Sequence, residues 1–175
     1  MIFIGLGANL PGKFGGPEAT LQKTFEELNG HGFKVLDISD IWLTAPVPYV
    51  PDHPWYRNAV ISVSTEKTPL QTLKTLLQIE QEFGRVRSTR NAPRVIDLDL
   101  LCYDSLCCDV PGLTLPHPRM HERGFVLYPL KDICPNWSHP ATGQYIDELL
   151  GLLPSDQQAF RNGEETVESP ALAAQ

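Results

Sequence analysis

The sequence predicts an α+β sandwich, a mainly antiparallel sheet with helices packed on it. Three observations predict it. Apolar residues alternate in some segments and recur at helical spacing in others, so strands and helices both occur. The segments run strand, helix, strand, strand, helix, strand, then helices. Clusters of glycine, proline and asparagine separate them.

Ile2 to Leu6 reads as a buried first strand, and Gly7 to Gly16 as a loop by composition. Pro17 suits the first turn of a helix. Leu21, Phe25 and Leu28 give that helix one apolar face, and Asn29-Gly30 closes it. Phe33 to Leu43 is rich in β-formers and reads as one strand. Thr44 to Pro54 holds Pro46, Pro48, Pro51 and Pro54, which exclude a helix or a central strand; a loop this long marks function. From Tyr56 to Thr65 the chain alternates, with Ala59, Ile61, Val63 and Thr65 on one face and Tyr56, Asn58, Val60 and Ser62 on the other.

Thr68 and Gln71 are spaced as a capping box around Pro69, so a helix starts there. Leu70, Leu73, Leu76, Leu77 and Phe83 supply its core face, and Gly84 ends it. Leu115-Pro116-His117-Pro118 is a rigid approach to a helix from about Arg119, with Phe125, Leu127 and Leu130 apolar. Asp147 to Leu153 reads as a last short helix. Residues 1–154 are expected to form one domain, and 155–175 an acidic, disordered tail. The order of elements suits the ferredoxin-like form of the sandwich, with helices on one face and the other free for a site.

Composition narrows the function. Hydrophobic residues make up 42% of the chain, enough for a sizeable core. A formal net charge of −7 argues against nucleic-acid binding. Yet Arg85, Arg87, Arg90 and Arg94 fall within ten residues, which points to a small anionic ligand. The four cysteines, Cys102, Cys107, Cys108 and Cys134, form no C-x-x-C pair, so a reducing, cytoplasmic setting is expected. No run approaches transmembrane length, and the apolar start lacks the basic region of a signal peptide.

The densest chemistry lies in Arg94-Val95-Ile96-Asp97-Leu98-Asp99-Leu100-Leu101, a short buried strand with two carboxylates. Alternation puts Asp97 and Asp99 on one face, roughly 7 Å apart at Cα, and Ile96, Leu98 and Leu100 on the other. Two like charges on an apolar strand are costly unless neutralised, and a hard cation such as Mg²⁺ does this while leaving room for phosphate. The alternative is an edge strand with two solvated aspartates. The arginine loop lies between a helix end and this strand, so guanidinium forks and metal can converge on one polyphosphate. Tyr56 and Asn58 can pack against and bond a flat heterocycle, or simply pack the sheet.

Two other motifs carry less. Gly7 to Lys13 approaches a P-loop, but Phe14 stands where Ser or Thr is needed and Pro11 removes a donor. His117 and His121 lie four apart, but Pro118 intervenes and there is no HExxH glutamate. A hydrogen bond from His117 to a phosphate is favoured over zinc, with a structural cap as the alternative.

Asn58-Ala59, Gly84-Arg85-Val86-Arg87, Ala92-Pro93-Arg94 through Leu101, and Leu115-Pro116-His117-Pro118-Arg119 through Leu127 stand in one order and spacing. With Gly7-Ala8-Asn9-Leu10 they resemble the 6-hydroxymethyl-7,8-dihydropterin pyrophosphokinase family of folate biosynthesis, from Ile4 to about Leu150. The resemblance implies a ferredoxin-like sandwich and transfer of pyrophosphate from ATP to the pterin hydroxymethyl oxygen, with release of AMP. It implies that Asp97 and Asp99 hold two Mg²⁺ ions and that Arg85 and Arg94 contact the transferring phosphates. Glu80, Arg87, His117 and Arg123 would help bind ATP. Thr44, Val47, Tyr56, Asn58 and Phe125 would form the pterin pocket. The proline-rich and arginine-rich loops would close as lids. The partners implied are small molecules, with no nucleic acid or membrane, and the chain is expected to act as a monomer. The family commonly has Trp-Gly where this chain has Asn91-Ala92, and Ala45 replaces a common proline; neither change touches the metal ligands. A two-metal nucleotidyl transferase or cyclase and a ligand-sensing module remain as alternatives for this fold.

Overall fold

In chain order the elements are β1 (Ile2–Ala8), α1 (Pro17–Gly30), β2 (Lys34–Ile38), β3 (Trp42–Thr44), β4 (Tyr56–Ser64), α2 (Pro69–Glu82), β5 (Asp97–Tyr103), β6 (Cys108–Val110), β7 (Leu113–Leu115), α3 (Gly124–Ile133), α4 (Ile146–Gly151) and β8 (Ala159–Arg161). The computed structural model describes residues 1–47, 53–85, 93–157, 159–161 and 163. β1 lies inside the main sheet, paired antiparallel with β4 on one side and β5 on the other. The strand order is β5-β1-β4-β3-β8, with β2 also on β4; β6 and β7 form a separate hairpin. The expected α+β sandwich with a mainly antiparallel sheet is therefore present.

Local chemistry explains the starts and stops. Pro17 opens α1, and Gly32 with φ +81 follows its end. The Thr68–Gln71 capping box opens α2, and Gly84 with φ +87 turns the chain away from it. The single strand expected over Phe33 to Leu43 is divided. Ser39 accepts a hydrogen bond from the Val60 N–H at its hydroxyl and donates its own N–H to the Val60 carbonyl. A side-chain acceptor thus interrupts the ladder, and β2 and β3 each pair with a different part of β4. The helix expected from Arg119 begins later. A 3₁₀ turn spans Met120–Glu122, and Arg123 is extended before α3 starts at Gly124.

Both faces of the sheet are packed. On one face α1 and α2 cover Ile2, Ile4, Leu6, Ala59, Ile61, Val63, Leu98 and Leu100. Within α2, Ile79 and Glu80 are buried while Leu70 is exposed. On the other face α3 and α4 bury Phe3, Val60, Leu101 and Cys102 with Met120, Leu127 and Leu130. The expectation of a face free of helices is corrected here. Phe3, Val60 and Leu101 carry large apolar surface that one end of that face must cover. β5 serves both cores through a bulge: Phe3 pairs with Cys102 and Ile4 with Leu100, so Leu101 is the extra residue.

The expected boundary after Pro154 is also corrected. Ala159–Arg161 pairs antiparallel with β3, opposite Trp42, Leu43 and Thr44. Arg161 bonds Asp132 of α3 at 2.7 Å and lies 5.3 Å from the Trp42 ring, and the Phe160 ring stacks on Trp55. These contacts hold a segment that composition alone reads as tail. Residues 164–175 lie outside the described residues. Among the described residues no helix is long and apolar enough to cross a membrane.

Candidate active site

The register of three strands builds the floor of a cleft. Gly7 pairs with Asn58 on one side and Asp97 on the other; Gly5 pairs with Val60 and Asp99. Asn58 and Asp97 are thus two strand spacings apart, about 10 Å at Cα, with a glycine between them. A Cβ on Gly7 would lie 2.7 Å from Asn58 Oδ1, so the floor is shaped by the absence of a side chain. The cleft has a volume of about 880 Å³. Its lining includes Thr44, Val47, Tyr56, Asn58, Arg85, Arg94, Asp97, Asp99, His117, Arg123 and Phe125.

At the charged end, Asp97 accepts from Arg85 Nη1 and from Arg94 Nη1, each at 2.6 Å. Asp99 accepts from Arg123 Nη1 at 3.4 Å. Burial, and then the Asp97 charge, push the Asp99 carboxyl above its ordinary range; Arg123 opposes this. Glu80 does not line the cleft. It is buried beneath it, where Oε1 accepts from the Leu98 N–H at 2.8 Å and pairs with Arg85. Burial raises its carboxyl despite both contacts. Its place makes it a support for Arg85 and β5 rather than a wall for a ligand. Arg87, Arg90 and Asn91-Ala92 lie outside the described residues, as does much of the proline-rich loop.

His117 is anchored by its backbone, which donates to the Leu101 carbonyl at 2.8 Å. Its Nδ1 accepts from the Arg119 N–H at 3.2 Å. Burial, Arg123 and Arg119 push its imidazole down to about 4. The ring is therefore neutral near pH 7 and has Nε2–H to donate. The Leu115–Pro116 peptide before it is cis.

At the other end, Asn58 Nδ2 donates to Thr44 Oγ1 at 2.7 Å. Both residues are buried, which leaves the amide oxygen of Asn58 fixed toward the cleft side of Gly7. Tyr56 is half-buried on the same strand face, and burial raises its phenol. Phe125 lies under Arg123, with the guanidinium 5.3 Å from the ring centre. Val47 is 44% exposed at the rim.

Two residues that bear on this site escape sequence reasoning. Asn9 is buried at the end of β1 and joins three loops. Its Nδ2 donates to the Pro54 carbonyl at 2.9 Å, and its Oδ1 accepts from the Arg94 N–H at 2.8 Å. The Asn9 N–H donates to the Arg94 carbonyl in return. The sequence marks it as a polar amide directly after an apolar strand and as part of the Gly7-Ala8-Asn9-Leu10 segment of the resemblance, with no sign of its bonds. Gln157 is the second and has no signal at all; it bonds the turn that carries Arg123.

The carboxylates suit a hard cation. They present oxygen donors on one strand face, and a divalent ion would offset the burial and the Asp97 repulsion that together lift Asp99. Among the described residues no group of three or more histidines, cysteines or carboxylates gathers. A cation here would complete its shell with water or phosphate oxygens, the habit of Mg²⁺.

Fold and cleft together define a class: an antiparallel α+β sandwich whose open sheet end sets arginines and aspartates against a pocket of amide, hydroxyl and aromatic groups. The family model for 7,8-dihydro-6-hydroxymethylpterin-pyrophosphokinase (HPPK) matches residues 3–135, and the chain belongs to that family. It is 36% identical over 153 residues to the Pseudomonas aeruginosa 2-amino-4-hydroxy-6-hydroxymethyldihydropteridine pyrophosphokinase, covering 87% of this chain and 91% of that one. It is 35% identical over 153 residues to the folic acid synthesis protein fol1 of Schizosaccharomyces pombe, covering 87% of this chain. The chain spans only 20% of that relative's length, and 23% of the Dictyostelium discoideum relative's. A crystal structure of Plasmodium falciparum HPPK-DHPS with pterin and p-hydroxybenzoate superposes with a TM-score of 0.64 at 14% identity. The match covers 86% of this chain and 43% of that one, a likeness of fold.

Proposed function

We propose that this chain transfers the terminal pyrophosphoryl group of ATP to the hydroxymethyl oxygen of 6-hydroxymethyl-7,8-dihydropterin, releasing AMP, in folate biosynthesis. Family membership and the relatives' names support the reaction. The observation that carries it to this cleft is the opposition of its two ends. The Thr44–Asn58 pair, with Tyr56 and Phe125, suits the edge and face of a pterin. Arg85, Arg94 and Arg123, gathered on Asp97 and Asp99, suit a polyphosphate.

Each residue has a part in this reading. Asn58, held by Thr44, reads the polar edge of the pterin, and Val47 closes the rim. Arg85 and Arg94 exchange Asp97 for phosphate oxygens as the nucleotide enters. Neutral His117 donates Nε2–H to a phosphate oxygen, and Arg123 offsets charge that develops on the leaving AMP side. Glu80 orients Arg85 from below. Asp97 and Asp99 hold Mg²⁺, two ions in this reading, which supplies charge neutralisation at the phosphates when bound. Catalysis then rests on alignment and electrostatics, and no general base is required of the protein. The reading has the chain working as a cytoplasmic monomer on small diffusible substrates, which its acidity and four free cysteines suit.

The product decides the matter. The protein is mixed with Mg²⁺, ATP and 6-hydroxymethyl-7,8-dihydropterin, and the nucleotides are separated by chromatography. AMP is expected one for one with pterin pyrophosphate, and neither without Mg²⁺. Pterin-dependent ADP, or free pyrophosphate, as the main product overturns the assignment.

A further inference from the structure

We infer that Gln157 is a positioning residue for the reaction, one amide that clamps the backbone on both sides of Arg123. The inference rests on the reading of the cleft given above, and it concerns a residue beyond the family match at residues 3–135. Gln157 Oε1 accepts from the Gly124 N–H at 2.6 Å. Its Nε2 donates to the Glu122 carbonyl at 2.7 Å. Glu122 and Gly124 are the two chain neighbours of Arg123, so a single side chain spans the residue from carbonyl to amide.

The clamp adds to the backbone bonds of the turn at the two groups that flank Arg123. Arg123 stands in extended conformation between the 3₁₀ turn and α3; its N–H donates to the Met120 carbonyl at 3.3 Å, and its carbonyl accepts from the Val126 and Leu127 N–H groups, each at 3.0 Å. α3 has no side-chain cap of its own, and the Gly124 N–H is one of the donors its first turn leaves open. Gln157 supplies from 33 residues away the acceptor that a local Ser or Asp would normally give. The fit is close: a Cβ on Gly124 would meet Gln157 Oε1, Leu153 and Tyr128, each at 3.3 Å. The Gln157 N–H donates to the Pro154 carbonyl, and β8 begins two residues later on the edge of β3. The clamp is thus secured to the strand that carries Thr44.

The consequence reaches the chemistry through Arg123. Its guanidinium reaches Asp99 at 3.4 Å and covers Phe125, so its backbone position sets where that charge lies in the cleft. Without the two Gln157 bonds the turn keeps only its own backbone bonds, and the guanidinium would be held less closely. Gln157 is itself among the residues lining the cleft; its two side-chain bonds go to Glu122 and Gly124, so its influence on Arg123 passes through the turn.

The test uses the full chain and a Gln157→Met variant, which keeps length and packing but has neither polar atom. Gln157→Glu is the second variant; it keeps the acceptor for Gly124 and loses the donor to Glu122. Binding of a non-hydrolysable ATP analogue with Mg²⁺ is measured by calorimetry in the natural and Arg123→Ala backgrounds, with thermal melting alongside. Gln157→Met is expected to weaken the analogue about tenfold, the worth of one or two lost hydrogen bonds, and Gln157→Glu to fall between. In the Arg123→Ala background either change is expected to cost less than about twofold, since the coupling has been removed. Equal losses in both backgrounds, or no loss in either variant, overturn the inference. Turnover of the unaltered chain is read separately. A chain that binds the analogue but makes no AMP removes the proposed reaction and leaves the clamp standing; a chain that does not bind it overturns the clamp.

Discussion

The two faces of the sheet are made from the same strands and do opposite work. Under α1 and α2, β1, β4 and β5 contribute Ile4, Ile61 and Leu100 to a dry core. One residue along in each strand stand Gly5, Val60 and Asp99, on the face shared by α3, α4 and the cleft. The closed face is uniform along its length. The open face changes character partway: Phe3, Val60 and Leu101 are packed, and beyond them come Gly7, Asn58 and Asp97. The difference teaches that this site costs the fold little, because a complete core lies on the other side of the same strands.

The sharpest way to break this comparison is to remove the acidic groups. Asp97→Ala and Asp99→Ala are expected to lower AMP formation about a thousandfold with unchanged circular dichroism. Near-normal turnover in both would show that the open face does no chemistry. The converse change is one residue away. Leu100→Ala leaves a cavity on the closed face and is expected to cost about 2–5 kcal/mol in denaturant unfolding, while the folded fraction keeps its kcat/KM. A large loss of kcat/KM per folded molecule would mean that the two faces are coupled through β5.

Smaller effects sharpen the comparison within the open face. Gly7→Ala drives a methyl against Asn58 Oδ1. It is expected to raise the KM for pterin about tenfold, roughly one lost hydrogen bond, with the KM for ATP little changed. Equal rises in both would place Gly7 outside the pterin end. The smallest effect is acid sensitivity. His117 titrates at about 4 in the fold and near its ordinary 6.5 in the unfolded chain. The unfolded state takes up the proton first, so the stability this group contributes is complete above pH 6.5 and is lost as pH falls toward 4. Melting curves of His117→Gln over this range are expected to slope less than those of the unaltered protein; parallel slopes would deny the burial.

Much of this was legible in the chain. Period-two spacing alone puts Asp97 and Asp99 together, opposite Leu98 and Leu100, and Thr68 with Gln71 announces α2. What escaped reading is long-range. The resemblance gives Glu80 a part in binding ATP, yet it is buried, bonded to a backbone amide and an arginine that lie later in the chain. Phe3, Val60 and Leu101 are apolar, but no single strand tells which end of its face a distant helix will cover. β8 has three residues and no core of its own; it exists because β3 offers an unpaired edge beside Trp42 and Asp132. Gln157 is a polar residue in a polar stretch until the fold brings Gly124 to it. For the same reason a cut after Pro154, harmless by composition, removes both β8 and the clamp.

The extra residue in β5 has a consequence of its own. A ladder counts in twos, and Leu101 is an added beat that leaves the phase intact on either side: Asp97 and Asp99 keep their face, and Tyr103 returns to the first core. Leu101 has no opposite number in β1, and its carbonyl receives the His117 N–H. The wall bearing His117 is thereby moored to the aspartate strand by a main-chain bond, beside the side-chain contact of Met120 with Cys102. Such a mooring is indifferent to which side chain occupies position 101 and sensitive to the number of residues. Exchange of Leu101 for another apolar residue would leave it in place, whereas loss of that one residue would restore an even ladder and remove the carbonyl that holds the His117 N–H.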